Sequence, residues 1–210
     1  MIKAPPHPLA ARKIPRQLRA AITLEAIFEA TIQVLLSDGP TRLTTTRVAA
    51  RAGVSVGTLY QYYPHKQALL YAITERYLGG IAEAVEKACR ENQGASLTQM
   101  SDALVGAYWK AKTMRPNATR ALYLVAAKVN TAALAETCAQ RIEAAAAAMF
   151  ASAPDAIFTD LTLVNRSLLT ALFGAVRSVF TREVSPTFVE QVREELSLMC
   201  RSYLVAATVS

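Results

Sequence analysis

The chain is expected to fold as an all-α protein, and three observations carry that expectation. Apolar residues recur at helical spacing in segment after segment, Pro, Gly and Asn breakers punctuate those segments, and nowhere does a stretch alternate apolar and polar residues as a half-buried strand would. With 52% apolar residues in 210 positions, the chain has enough to bury a proper core. The formal charge of +7 is unevenly placed: residues 1–78 carry ten Lys or Arg against four Asp or Glu, and residues 79–210 carry thirteen against twelve. A basic half joined to a nearly neutral half suits a polyanionic partner, although a basic face also suits an anionic membrane.

Residues 1–22 combine Pro5, Pro6, Pro8 and Pro15 with Lys3, Arg12, Lys13, Arg16 and Arg19. That composition neither packs nor sustains a long helix, so it reads as a flexible basic arm, either following a nucleic acid or simply solvated. Thr23 is a suitable N-cap for a helix over 23–37, whose stripe is Leu24, Ile27, Phe28, Ile32, Leu35 and Leu36, and Gly39-Pro40 stops it. Two short helices around a tight turn follow over 43–66. Gly53 can adopt the positive φ that ends the first, Val54 returns to the core, and Ala49 gives a small face at the helix crossing. The second presents Ser55, Thr58, Tyr60, Gln61 and Tyr62, all hydrogen-bonding groups, with Leu59 and Tyr63 left to anchor its other side. This is a helix-turn-helix pattern, and such an outward face suits a DNA major groove.

After Lys66 the stripe Leu69, Leu70, Ile73, Tyr77, Ile81, Val85 predicts a long helix to about residue 91, which would join the two halves of the chain. Helices are further expected over 97–114, 118–129, 132–150, 158–182 and 187–206, with breaks at Arg115-Pro116-Asn117, Asn130, Ala153-Pro154 and Ser185-Pro186. The alanine run 144–148 reads as a narrow helix face.

In order and spacing, residues 15–78 resemble the N-terminal domain of the tetracycline-repressor (TetR) family of bacterial transcription regulators: an amphipathic first helix, Gly39, the helix-turn-helix, Thr58-Leu59-Tyr60, then Tyr62-Tyr63 and Lys66. Tyr63 stands where phenylalanine is commoner, and His65 where Asn, Ser or Asp often caps the next helix. The resemblance implies a DNA-binding domain over 23–78 and a helical ligand-binding and dimerisation domain over 79–210. The protein would be a ligand-responsive regulator, most simply a repressor, acting as a homodimer on a double-stranded, palindromic DNA operator. It also implies that Thr44, Thr45, Thr46 and Arg47 touch the DNA backbone, that Ser55, Val56, Gly57, Thr58 and Tyr60 line the recognition helix with Tyr62 flanking it, and that Lys66 clamps a phosphate. Of the three threonines, one is expected to serve only as N-cap.

Two-fold DNA sites call for a paired protein. Small residues Ser167, Ala171, Gly174, Ala175 and Ser178 recur three or four apart, and Phe188, Val192, Leu196, Met199, Cys200 and Tyr203 form an apolar stripe on the final helix. Together they would build a four-helix bundle across a two-fold axis, which is also how the family pairs; the alternative is that both stripes close the monomer core. A pocket for a small organic effector is expected among the intervening helices, with Tyr108, Trp109, Met114, Tyr123, Phe150, Asn165 and Phe173 as candidate lining residues. The scarcity of interior acids favours a neutral or anionic compound.

Catalysis is not expected. His7 lies in the arm and His65 beside the helix-turn-helix, which leaves no Ser-His or Cys-His system elsewhere, and neither a glycine-rich phosphate loop nor a metal-ligand cluster is present, so no cofactor or metal is expected. Cys89, Cys138 and Cys200 are few and far apart, as in a reducing cytoplasm; a cysteine-based redox-sensing regulator is the alternative. The opening residues lack the apolar run of a signal peptide, and the most apolar stretch, 161–180, is interrupted by Asn165, Arg166 and Arg177, so no membrane span is expected.

Overall fold

The computed structural model describes residues 18–126, 129–182 and 185–209. Those residues form helices α1 (Leu18–Arg42), α2 (Thr45–Ala52), α3 (Val56–Tyr62), α4 (Lys66–Glu91), α5 (Leu97–Thr113), α6 (Pro116–Ala126), α7 (Ala132–Phe150), α8 (Leu161–Thr181) and α9 (Pro186–Ala206). The protein is all-α, as expected, with a single isolated bridge between Phe158 and Thr208 as the one β contact among the described residues. Most of the expected arm lies outside the described residues.

Two compact units share the described chain. One comprises the residues through Tyr77 together with Arg120–Leu134; the other comprises Leu78–Thr119 and the chain from Ala135 onward. The division is therefore not one cut near residue 78: it falls inside α4, and most of α6 groups with the N-terminal unit.

In the first unit α1 is the platform. Ile27, Phe28, Ala30, Ile32, Val34 and Leu35 are buried, whereas Leu36, expected on the stripe, is 38% exposed. The face is rotated slightly from the expected one, with Val34 taking the inward place. The helix also begins before Thr23, whose hydroxyl donates to the Arg19 carbonyl at 3.0 Å from within the helix instead of capping it. Gly39 breaks the regular helix with φ 75° and ψ 168°, and Pro40 opens a last turn in which Leu43 N–H returns to the Gly39 carbonyl. From α4, Arg76 bonds Glu25 and lies 4.7 Å from the centre of the Phe28 ring.

Sequence punctuation sets the helix ends of the second unit. Ser96 and Gln99 form a reciprocal capping box on α5, Asp160 caps α8, and Ser185 caps α9 ahead of Pro186. Helix α8 starts at Leu161 and not at 158, because Phe158 is drawn into the bridge with Thr208. The core includes Met100, Leu104, Trp109, Ile142, Met149, Phe150, Leu168, Leu172, Val176, Leu196 and Leu204. Helices α1 and α8 are long and apolar enough to cross a membrane by length and composition alone, a test that the core helix of a soluble protein also passes; in the fold their apolar stripes line the cores.

At Gly53 the backbone is left-handed, φ 67°, and nothing lies within 4 Å of where a Cβ would stand. Gly53→Ala should therefore cost only the backbone penalty, about 1–2 kcal/mol; denaturant unfolding of the full chain measures it, and a loss well above that would mean a packing role that the geometry lacks.

Candidate nucleic-acid interface

The turn between α2 and α3 is built from backbone hydrogen bonds that glycine permits. Gly53 N–H donates to the Ala50 carbonyl at 3.3 Å and Val54 N–H to the Ala49 carbonyl at 3.0 Å, the overlapping pattern of a left-handed helix stop. Val54 is half-buried, and Val48, Ala49 and Leu59 are fully buried where α2 packs on α1 and α3 packs on α2. Tyr63, 7% exposed, completes the anchor, and burial raises its phenol pKa. The anchoring role expected of Leu59 and Tyr63 is what the burial describes.

On the outward side the expected residues divide. Thr44 is the N-cap of α2: its hydroxyl accepts from Arg47 N–H at 3.2 Å. Thr46 and Arg47 are exposed, and Arg47 reaches Asp38 at 2.6 Å. Thr45 is not available to a phosphate. It is 8% exposed, and its hydroxyl meets the Tyr60 hydroxyl at 3.1 Å, tying α2 to α3. Ser55 caps α3, accepting from Thr58 N–H at 2.9 Å, and the two hydroxyls share a hydrogen bond of 2.8 Å. Gly57, Tyr60 and Gln61 stand exposed, with Val56, Thr58 and Tyr62 half-buried beside them. A Cβ on Gly57 would meet only Ser55 Oγ, at 3.7 Å, so the fold itself does not demand glycine there.

Two basic residues next to this face have local duties. His65 caps α4: its Nδ1 accepts from Ala68 N–H at 3.1 Å, so it does the work of the Asn, Ser or Asp more usual at such a position. Lys66 is half-buried, and its Nζ donates to the Pro40 carbonyl at 2.6 Å and the Thr41 carbonyl at 3.4 Å. The ammonium expected to clamp a phosphate thus also holds the last carbonyls of α1.

The expected lining residues of a pocket do not form one group. The Tyr108 and Phe173 rings meet at a tilt of 39°, their centres 4.8 Å apart. Trp109 and Phe150 are buried in the same unit. Met114 is 69% exposed at the end of α5, so it lines no enclosed pocket, and Tyr123 lies in the segment that groups with the other unit. Asn165 lies about 12 Å along α8 from Phe173. Its Nδ2 donates to the Glu143 carbonyl at 2.9 Å, and its buried Oδ1 has no hydrogen-bond partner. It sits at the base of a groove of about 320 Å³ flanked by Glu143, Thr162 and Arg166, where Arg166 bonds Glu143 at 3.0 Å.

Sequence reading missed Lys112. It is 5% exposed, its Nζ stands 5.7 Å from the centre of the Tyr108 ring, and burial lowers its pKa to about 8, with a smaller opposing pull from Cys138. The signal was present: Ser101, Leu104, Val105 and Tyr108 mark the inner stripe of α5, and Lys112 is the next position on it. The three cysteines are buried, and burial raises the pKa of each thiol, Cys89 and Cys200 to about 11. That disfavours the reactive thiolate.

On the proposed pairing stripes, Ser167, Ala171 and Gly174 are exposed and Ala175 and Ser178 half-buried. Phe188, Met199 and Tyr203 are 48%, 45% and 37% exposed, and Val192 is half-buried. Leu196 and Cys200, at 4% and 0%, turn into the unit's own core, because they lie on the side of α9 that packs on its neighbours. For those two the alternative of monomer closure applies.

Comparison with known proteins places the chain as follows. The family described as bacterial regulatory proteins, tetR family, matches residues 27–73, and the family described as tetracyclin repressor-like, C-terminal domain, matches residues 96–204. The nucleoid occlusion factor SlmA of Actinobacillus pleuropneumoniae is 40% identical over 76 residues, which are 34% of this chain and 37% of that protein. The fatty acid metabolism regulator protein of Bacillus subtilis is 28% identical over 69 residues, 33% of this chain and 36% of that protein. The match to these curated relatives thus spans little more than a third of their length. Among solved structures, a TetR-family transcriptional regulator from Mesorhizobium loti aligns over 92% of this chain and 100% of its own, with a TM-score of 0.71 at 16% identity. A transcriptional regulator from Pseudomonas aeruginosa PAO1 aligns over 91% and 92%, with a TM-score of 0.70 at 18% identity. These last two are likenesses of fold.

Because the folded state holds the Lys112 pKa near 8, below the usual 10.5, folding disfavours its charge. That penalty is fully present below pH 8 and is relieved as pH rises from about 8 to about 10.5, where the unfolded chain binds the extra proton. The protein should gain stability relative to Lys112→Met across that window; parallel denaturant titrations showing a constant difference would contradict the assignment.

Proposed function

Since the chain belongs to the tetR family of bacterial regulatory proteins and is a DNA-binding transcriptional regulator, we propose that it acts as a homodimeric repressor released from a palindromic operator by a small organic effector. The observation that carries this reading is the outward face of α3, where Gly57, Tyr60 and Gln61 stand exposed on a helix whose other side is locked down by Leu59. Gly57, free of any packing demand, allows the helix to approach base edges closely, while Ser55 and Thr58 offer hydroxyls at its start. Thr46 and Arg47, the exposed residues of the first turn of α2, engage the phosphate backbone, with Lys66 contributing the part of its ammonium not spent on Pro40 and Thr41.

Pairing uses the exposed faces of α8 and α9. Ala171, Phe188, Val192 and Met199 line a groove of about 580 Å³ between those helices, and no atom outside the helix lies within 4 Å of where a Cβ on Gly174 would stand. A small residue with open space around it, beside exposed Phe188 and Met199, is what close approach of a second helix requires. The effector acts in the C-terminal half. Helix α4 runs on from the helix-turn-helix into that half, so a ligand-driven tilt of it would change the spacing of two reading heads.

Fragmented genomic DNA from the source organism, incubated with the protein and sequenced after capture, tests the reading. A shared palindrome beside one or a few genes is expected; fragments with no common sequence would reduce the activity to non-specific binding. Arg47→Ala removes a surface ion pair of little structural worth, so it should weaken binding to all sequences and flatten the slope of log affinity against log salt by about one. Ala171→Glu should place a charge in the pairing face and yield monomers in sedimentation velocity, with operator affinity falling alongside; a dimer that survives would move the interface elsewhere.

A further inference from the structure

The groove between α7 and α8, inside the second unit, is used neither by the DNA-reading face nor by the pairing stripes. It has a volume of about 320 Å³, and its walls come from Glu143, Ala144 and Ala147 of α7 and from Thr162, Asn165 and Arg166 of α8. At about 100° per residue, Thr162 and Arg166 stand about 180° and 140° around α8 from Ala171, so a partner seated on the pairing stripe leaves this groove open.

The hydrogen-bonding groups here are sorted by depth. Asn165 is 1% exposed; its Nδ2 donates to the Glu143 carbonyl at 2.9 Å, and its buried Oδ1 has no partner. A buried acceptor left unmet is costly, and leucine would fill the same core position of α8 without that cost. Both guanidinium bonds from Arg166 go to one oxygen of Glu143, Oε1, at 3.1 and 3.0 Å, and Oε2 accepts no bond among the described residues. The Glu143 side chain is 28% exposed and that of Arg166 67%. Unmet acceptors thus lie deep, and the cation lies at the rim.

We propose that this groove is the anchoring site of the effector and that the effector carries a primary ammonium group, seated between Asn165 Oδ1 and Glu143 Oε2 with its apolar body along Ala144 and Ala147. An ammonium brings three donors and no acceptor, which suits two acceptors that lack bonds; an alcohol has one donor to give, and a carboxylate has none. The guanidinium bonded to Glu143 is already a cation held by the groove, and because it is exposed it swings to solvent at little cost when a ligand arrives. The expectation of a neutral or anionic effector passed over Glu143, whose carboxylate reaches this groove. Occupancy also bears on α4. From its other side α7 grips that helix: Arg141 makes two bonds of 2.7 Å to the Glu86 carboxylate, and the Cys138 thiol donates to the Leu78 carbonyl at 3.4 Å. A ligand that parts α7 from α8 therefore pulls on α4. This inference rests on the C-terminal half being the effector-binding half, and it deepens that reading by naming the effector's head group.

The test titrates n-butylamine, protonated at pH 7, into the full chain without DNA, with butan-1-ol and butyrate alongside, and follows the backbone amides of α7 and α8 by NMR. Butylammonium should bind at least about tenfold more tightly than butan-1-ol, and butyrate no better than the alcohol. Glu143→Gln and Asn165→Leu should each remove the amine's preference; the first is a part-exposed position and serves alone should the second misfold. Arg166→Gln, which leaves Glu143 without its resident cation, should tighten the amine further. Equal binding of amine and alcohol, tighter binding of butyrate, no binding of any probe, a preference that survives Glu143→Gln, or an amine weakened by Arg166→Gln would each overturn the proposal. For the effector role, butylammonium should lower capture of palindrome-bearing fragments by the unsubstituted chain and not by Glu143→Gln; an equal fall in both, or none in either, would overturn that role. Operator capture itself needs no amine, so the regulatory reading and the ammonium reading fail separately.

Discussion

A seven-residue helix has no independent existence in water: two turns of hydrogen bonds do not offset the cost of nucleating them. Helix α3 is that short, and everything the N-terminal unit could do with DNA depends on its being held. Three constraints hold it. Ser55 caps its start, Leu59 and Tyr63 are buried on its reverse side, and the Tyr60 hydroxyl meets Thr45 on α2. The reading surface is therefore borrowed stability, rigid because its reverse side is packed.

The helix-turn-helix was legible in sequence because its signals are local. Gly53 at the left-handed stop, Ser55 at the cap and the apolar Leu59 within a polar run each act over three or four residues, and the geometry follows from them. The long helices were legible for the same reason, through apolar period and Pro or Gly punctuation. What escaped was set by tertiary choice. Three consecutive threonines look alike, yet only packing against Tyr60 selects Thr45 to turn inward and leaves Thr44 to cap. Likewise a rotation of α1 by a fraction of a turn exchanged Leu36 for Val34. Lys66 looked like a free surface charge, and its bond to Pro40, twenty-six residues earlier, could not be seen along the chain.

In the C-terminal half composition misled in a different way. Aromatic and large residues marked where a pocket could be, but type alone does not say which of them share a space: Met114 ends up at the surface and Asn165 in a separate groove, while Tyr108 and Phe173 do meet. Residue type hides Lys112, because lysine is generally a solvated side chain. Its position on the buried stripe was the better guide, since periodicity constrains direction regardless of polarity. Leu196 and Cys200 show the converse, apolar residues expected at a subunit interface that face inward by the same geometry.

The bonds from Lys66 to Pro40 and Thr41 fasten the first residue of α4 to the last turn of α1, three residues before Thr44 opens α2. Mechanically they make a coupling rod. A displacement at the start of α4 need not travel through the core of the helix-turn-helix; it can pull directly on the segment that leads into α2 and shift the threonine-capped end first.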